Sequence, residues 1–198
     1  MSSFTHLHVA SAYSGHYGVT RPELLAEAAK AQGASALAVT DRDGLYGAVK
    51  HIGACLQLGI APIVGVELLV VDEHTSMSNR VNHTERARVV VLAHGSASSS
   101  KNQLPPGFGW AKLCSIVSAA QSIRGGFKSS SSKRENPVAI RASELSRLLE
   151  EGGCTVLLGS DSDLGRAVLA GDRTLAEAAL LGWKALLPKP GVLAVEVV

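Results

Sequence analysis

Little in this sequence is suited to covalent cross-linking or to a membrane. Cysteine is scarce, and Cys55, Cys114 and Cys154 are odd in number, widely spaced and never arranged as CxxC. That usage is expected of reduced thiols in a cytoplasm, and it offers no cysteine-based zinc site. Long apolar runs are missing: a stretch such as Val89–Ala93 falls far short of the roughly 18–20 residues a membrane span needs. The opening residues lack the basic, apolar and small-residue succession of a signal peptide and run directly into a strand-like segment. Net charge is only +2 with 46% hydrophobic residues, which excludes a disordered chain. Motifs for nucleotide handling are absent too, with no P-loop and no three spaced glycines after the first strand-like run. Around Ser160 the sequence Leu158-Gly-Ser-Asp-Ser-Asp163 lacks the flanking glycines of a G-x-S-x-G nucleophile elbow. Cys55 and Cys114 lie in helical patterns, where structural thiols are commoner than reactive ones.

What is present is an alternation of strand and helix signals over 198 residues, a length expected for one domain, with two small ones possible. Phe4–Val9 reads as a strand, followed by a polar turn through Ser14–Gly18. Thr20-Arg-Pro-Glu23 predicts a helix start with Thr20 as cap, Pro22 in the first turn and Glu23 closing a capping box. That helix should stop at Gly33. Further strands are predicted at Ala36–Val39, Ile63–Val71, Arg88–Ala93, Thr155–Leu158 and Leu193–Val198. Helical spacing covers 45–58 (ended by Gly59), 110–122, 142–151, 164–170 and 175–186. Six apolar strands separated by helices imply βα units and a mainly parallel sheet, open or closed into a barrel. Such folds place their chemistry where strands lead into helices.

Two stretches, 95–109 and 124–136, are rich in Ser, Gly and Pro and are expected to be flexible loops. The segment 80–134 carries nine Lys/Arg against one acid, Glu85, so the near-neutral total averages a basic middle against acidic flanks. A basic stretch of this kind could follow a phosphate backbone or serve as a nucleic-acid or protein interaction module; a solvated polar face is the plainer alternative.

The sharpest chemical signal is His6-Leu-His8. Alternate residues share a strand face, so both imidazoles could ligate one metal. Asp41 follows the second strand, and Glu67 is a carboxylate inside an apolar run. Histidine with carboxylates at successive strand ends suits Zn, Mn or Fe and a metal-activated water attacking phosphorus. Ordinary hydrogen-bonded histidines, with Glu67 paired to a basic neighbour, remain the structural alternative.

These residues also carry a family resemblance. Phe4-Thr-His-Leu-His-Val-Ala-Ser-Ala-Tyr-Ser14, Ala38-Val-Thr-Asp-Arg-Asp-Gly-Leu-Tyr-Gly-Ala-Val49 and Gly59-Ile-Ala-Pro-Ile-Val-Gly-Val-Glu67 resemble three ordered motifs of the PHP (polymerase and histidinol phosphatase) domain. Val89–Ala93 and Gly109–Ser118 resemble the later segments, and the branch most similar is that of bacterial DNA polymerase III alpha subunits and their error-prone relatives. The resemblance implies a distorted (β/α)7 barrel, incomplete here at its C-terminus, so that Leu193–Val198 would be an internal strand. It also implies a role in DNA replication or translesion synthesis, with the remaining polymerase domains or subunits, and DNA through them, as partners. A cytoplasmic location and no membrane association are expected.

The departures from the family pattern shape the expectation most. Ala10, Tyr17, Arg42, Arg88 and Ser160 stand where ligands are expected, leaving His8 and Glu67 as retained ligand positions. His6, His16 and Asp41 are the remaining candidate ligands. Two ligands cannot fix a multinuclear centre, and arginines beside it repel a divalent cation. The expectation is therefore a degenerate site held by ion pairs from Arg42 and Arg88 to Asp41 and Glu67, without phosphoesterase activity. The alternative is residual metal-dependent hydrolysis, with Zn or Mn, by His6, His8, His16, Asp41 and Glu67.

Overall fold

A computed structural model describes residues 4–72, 87–95, 107–125 and 138–197. Most of the two expected loops, and about half of the basic segment 80–134, lie outside the described residues. The chain divides into two compact units, 1–67 and 68–198.

In the first unit, α1 (Pro22–Ala31) leads to β1 (Ala36–Val39), α2 (Ala48–Leu58) and the first part of β2 (Ala61–Val71). β1 pairs in parallel with β2, Ala36 opposite Ala61 and Val39 opposite Val64. Small residues let the two helices sit close over the sheet: Ala26 and Ala29 of α1 meet Ala54 and Cys55 of α2 above Leu37 and Ile60. α2 ends as predicted at Gly59, whose φ of 65° is left-handed and favours glycine.

Two local expectations are corrected. Phe4–Val9 is not a regular strand. It runs beside β1, with the Ala38 and Thr40 N–H groups donating to the carbonyls of His6 and Val9, but the Thr40 hydroxyl accepts the Val9 N–H that a ladder would use. Thr20 does not cap α1. Its carbonyl is held by the Ala12 N–H, Arg21 becomes the N-cap without a side-chain bond, and no capping box forms.

In the second unit the last residues of β2 pair in parallel with β4 (Ala139–Arg141), a three-residue strand that periodicity does not reveal. β3 (Ala87–Ala93) pairs antiparallel with β5 (Cys154–Leu158), and β5 pairs in parallel with β6 (Leu193–Val195). Between them run α3 (Phe108–Gly125), α4 (Ala142–Leu149), α5 (Asp163–Leu169) and α6 (Arg173–Leu186). The core is aliphatic, with Leu113, Ile116, Ile140, Leu145, Leu149 and Leu158 fully buried. The fold is thus mixed α/β, with six strands among the described residues. Among the described residues, no helix is long and apolar enough to cross a membrane.

Candidate functional site

The first unit gathers most of the residues singled out by sequence. Asp41 follows β1 and is only 2% exposed. Its Oδ1 accepts from the Ser11 N–H and the Ser14 hydroxyl, both at 2.8 Å, and its Oδ2 accepts from the Ser11 hydroxyl at 2.9 Å. Ser14 also accepts the Arg42 N–H at 3.0 Å. A buried carboxylate needs donors, and here the turn after His8 supplies them. The space around the carboxylate is filled: a Cβ at Gly47 would collide with Asp41 Oδ2, and one at Gly18 with the Ser11 carbonyl.

Beside this network lies a second cluster. Arg42 Nε donates to Glu67 Oε2 at 2.7 Å, with side-chain exposures of 14% and 4%. The Arg42 guanidinium sits 3.2 Å from the centroid of the Tyr17 ring, a cation–π contact that also covers the charge. His8 Nε2 lies 3.7 Å from the same Glu67 oxygen, within ion-pair range when the imidazole is protonated. Backbone bonds bracket the cluster: the Glu67 N–H donates to Asp41 O, and the Asp43 N–H donates to Glu67 O. Asp43 and His16 take left-handed φ values of 62° and 69°, both in segments flanking it.

The structure therefore brings together His8, Tyr17, Arg42 and Glu67, with Asp41 next to them in a separate serine network. The expected arginine partner of Asp41 is replaced by Ser11 and Ser14, whose hydroxyls satisfy the carboxylate without a countercharge. Neither serine was singled out by sequence; their only signal is their place within Ala10-Ser-Ala-Tyr-Ser14. His6 is exposed and makes an edge contact with Phe4 at 4.8 Å, and His16 is exposed on its turn. Ala10 is half-buried. Arg88 and Ser160 belong to the second unit, where Arg88 is the second residue of β3 and donates its N–H to Asp161 O, and Ser160 is exposed after β5. Among the described residues, no three His, Cys, Asp or Glu side chains converge as metal ligands.

Other titratable groups are structural. His51 is buried on α2 with Nε2 on Leu37 O at 3.0 Å, and burial lowers its pKa. Burial also pushes the Cys154 thiol up to about 12.

A sequence model of the PHP domain matches residues 6–197. The chain belongs to the PHP domain family. The resemblance carried by Phe4–Ser14, Ala38–Val49 and Gly59–Glu67 is thereby upheld, the family match running over residues 6–197. This PHP domain is 40% identical over 93 residues to an error-prone DNA polymerase of Corynebacterium jeikeium, covering 46% of this chain and 8% of that protein. It is 34% identical over 106 residues to the Corynebacterium diphtheriae error-prone DNA polymerase, covering 52% and 10%. Against the DNA polymerase III subunit alpha of Buchnera aphidicola it is 42% identical over 66 residues, covering 33% and 6%. The matched region thus spans a tenth or less of each of these curated relatives. A crystal structure of a candidate metal-dependent phosphoesterase from Bifidobacterium adolescentis superposes with a TM-score of 0.50 at 13% identity, covering 96% of this chain and 85% of that one. This likeness is one of fold.

Proposed function

We propose that this PHP domain is a non-catalytic, structural part of a DNA polymerase III alpha-like protein of the error-prone type, with a degenerate metal site. The reading includes a distorted (β/α)7 barrel, a role in replication or translesion synthesis, and the other polymerase domains as partners. The observation that carries it is the Arg42–Glu67 pair at 2.7 Å under Tyr17.

A metal does not fit the residues present. Glu67 Oε2 already accepts from a guanidinium, and both oxygens of Asp41 are engaged by serine donors. A divalent ion at Glu67 would also face the Arg42 charge; two unit charges 4 Å apart repel by about 4 kcal/mol at an effective dielectric of 20, and a double charge doubles that. The guanidinium supplies the counter-charge that a buried carboxylate requires. What these residues do is tie the turn 14–18, the segment after β1 and β2 to one another.

The test is metal analysis of the purified chain after incubation with Zn or Mn, together with hydrolysis of a generic phosphate ester. The expected result is neither stoichiometric metal nor turnover. Stoichiometric metal, or turnover abolished by Glu67→Ala, would establish residual phosphoesterase chemistry instead.

A further inference from the structure

We propose that a cavity in the second unit, between the end of β2 and α6, is a binding site for an alkylguanidinium group, the chemistry of an arginine side chain. The cavity holds about 370 Å³ and is separate from the Arg42–Glu67 cluster, none of whose residues line it. Ala142, Ala178, Ala179 and Gly182 form walls of small side chains, with Trp183 beside them. Among the described residues, the charged ones that line it are two carboxylates, Asp72 and Asp163.

Asp163 is held in place. Its Oδ1 accepts from the Trp183 indole N–H and from the Leu164 N–H, both at 2.8 Å. The indole is 5% exposed, so this clamp is anchored in the core. With both donors on Oδ1, the second oxygen stays available to a further donor. Asp72 follows β2 and is exposed. Two negative charges, that of Asp163 held in place, beside apolar walls with no Lys or Arg among the described lining residues, favour a cation. Small apolar walls suit an alkyl stem, and a guanidinium is more weakly hydrated than an ammonium and presents several donors in one plane. A bare divalent ion is a poor occupant, because it takes about six oxygens and the cavity offers two carboxylates.

The experiment is a titration of the full chain followed through tryptophan indole N–H resonances. The chain has two tryptophans, and Trp110→Phe assigns the Trp183 signal. N-butylguanidinium is expected to shift that signal saturably. Its neutral isostere N-butylurea should bind at least tenfold more weakly. Asp163→Asn keeps an oxygen for the indole and removes the charge, so it should weaken binding at least tenfold; Asp72→Asn should weaken it several-fold. A response to N-butylurea equal to that of the cation, no saturable shift, or full binding by both variants would overturn the proposal. An acetyl-Gly-Arg-Gly-amide peptide separates sources: if it also shifts the Trp183 signal, the group arrives on a polypeptide, and if only the small cation does, the ligand is a free guanidino compound. None of these outcomes bears on the metal-free reading of the first unit.

Discussion

The Arg42 guanidinium lies 3.2 Å from the centroid of the Tyr17 ring while its Nε donates to Glu67. One face of the cation is covered by an aromatic ring and its edge is spent on a buried carboxylate. The three residues come from separate segments of the first unit, so their mutual placement is a tertiary property with no local sequence signature.

Removing the cation should expose the cost of the anion. Arg42→Ala leaves Glu67, whose side chain is 4% exposed, without its guanidinium, and a loss of about 3–5 kcal/mol is expected for breaking a buried pair. Urea unfolding of the chain measures it. The double variant Arg42→Met with Glu67→Gln should recover part of that loss, and equal losses in the single and double variants would contradict the pairing.

Asp41 should matter more than either serine that binds it. Asp41→Ala strands three donors at once, whereas Ser14→Ala removes one bond to the carboxylate. With hydrogen bonds to charged groups worth about 1.5–3 kcal/mol, Asp41→Ala is expected to cost at least twice as much as Ser14→Ala in the same unfolding assay.

Two glycines of the first unit should respond to alanine with opposite signs. Gly47→Ala places a methyl group against Asp41 Oδ2 and the Ser11 hydroxyl, so it should destabilise. Gly53, inside α2, has nothing within 4 Å of an added Cβ, and Gly53→Ala should stabilise by about 0.5–1 kcal/mol through helix propensity. Denaturation midpoints moving in the same direction would contradict the packing described.

Stability should fall on mild acidification. Burial holds the His51 imidazole below its ordinary pKa, so the folded state binds its proton less readily than the unfolded state. The contribution is complete above the unfolded value of about 6.5 and is lost progressively as pH falls below it towards the lower folded value. His94 is shifted in the same direction by burial, so it adds to the slope. Urea midpoints measured from pH 7.5 to 5.5 should decline, and His51→Gln should flatten, without abolishing, that decline. An unchanged slope in His51→Gln would remove His51 as its source.

Much of the fold was legible because local chemistry decided it. Ala36–Val39 is the strand its apolar run suggests, and Gly59 terminates α2 through a conformation other residues resist. Legibility failed where a distant group competed. Thr20 has the chemistry of a cap, but the Ala12 N–H takes its carbonyl; Phe4–Val9 has the pattern of a strand, but the Thr40 hydroxyl interrupts its ladder. The antiparallel pairing of β3 with β5 could not be read either, since continuous apolar runs carry no direction. At the site, the motif residues His8, Asp41 and Glu67 were visible in sequence. The serines that hold Asp41 were not, because 27 to 30 residues separate donor from acceptor.

The border between the two units falls between Glu67 and Leu68, inside the 11-residue strand β2. Glu67 anchors Arg42 on one side of that border, and two residues later Leu69 begins the pairing with β4 on the other. A gene cut at this point would split one strand, although each half would keep its own pairing, Ala61–Val64 with β1 and Leu69–Val71 with β4. A shortened or circularly rearranged version that leaves β2 whole must open the chain elsewhere.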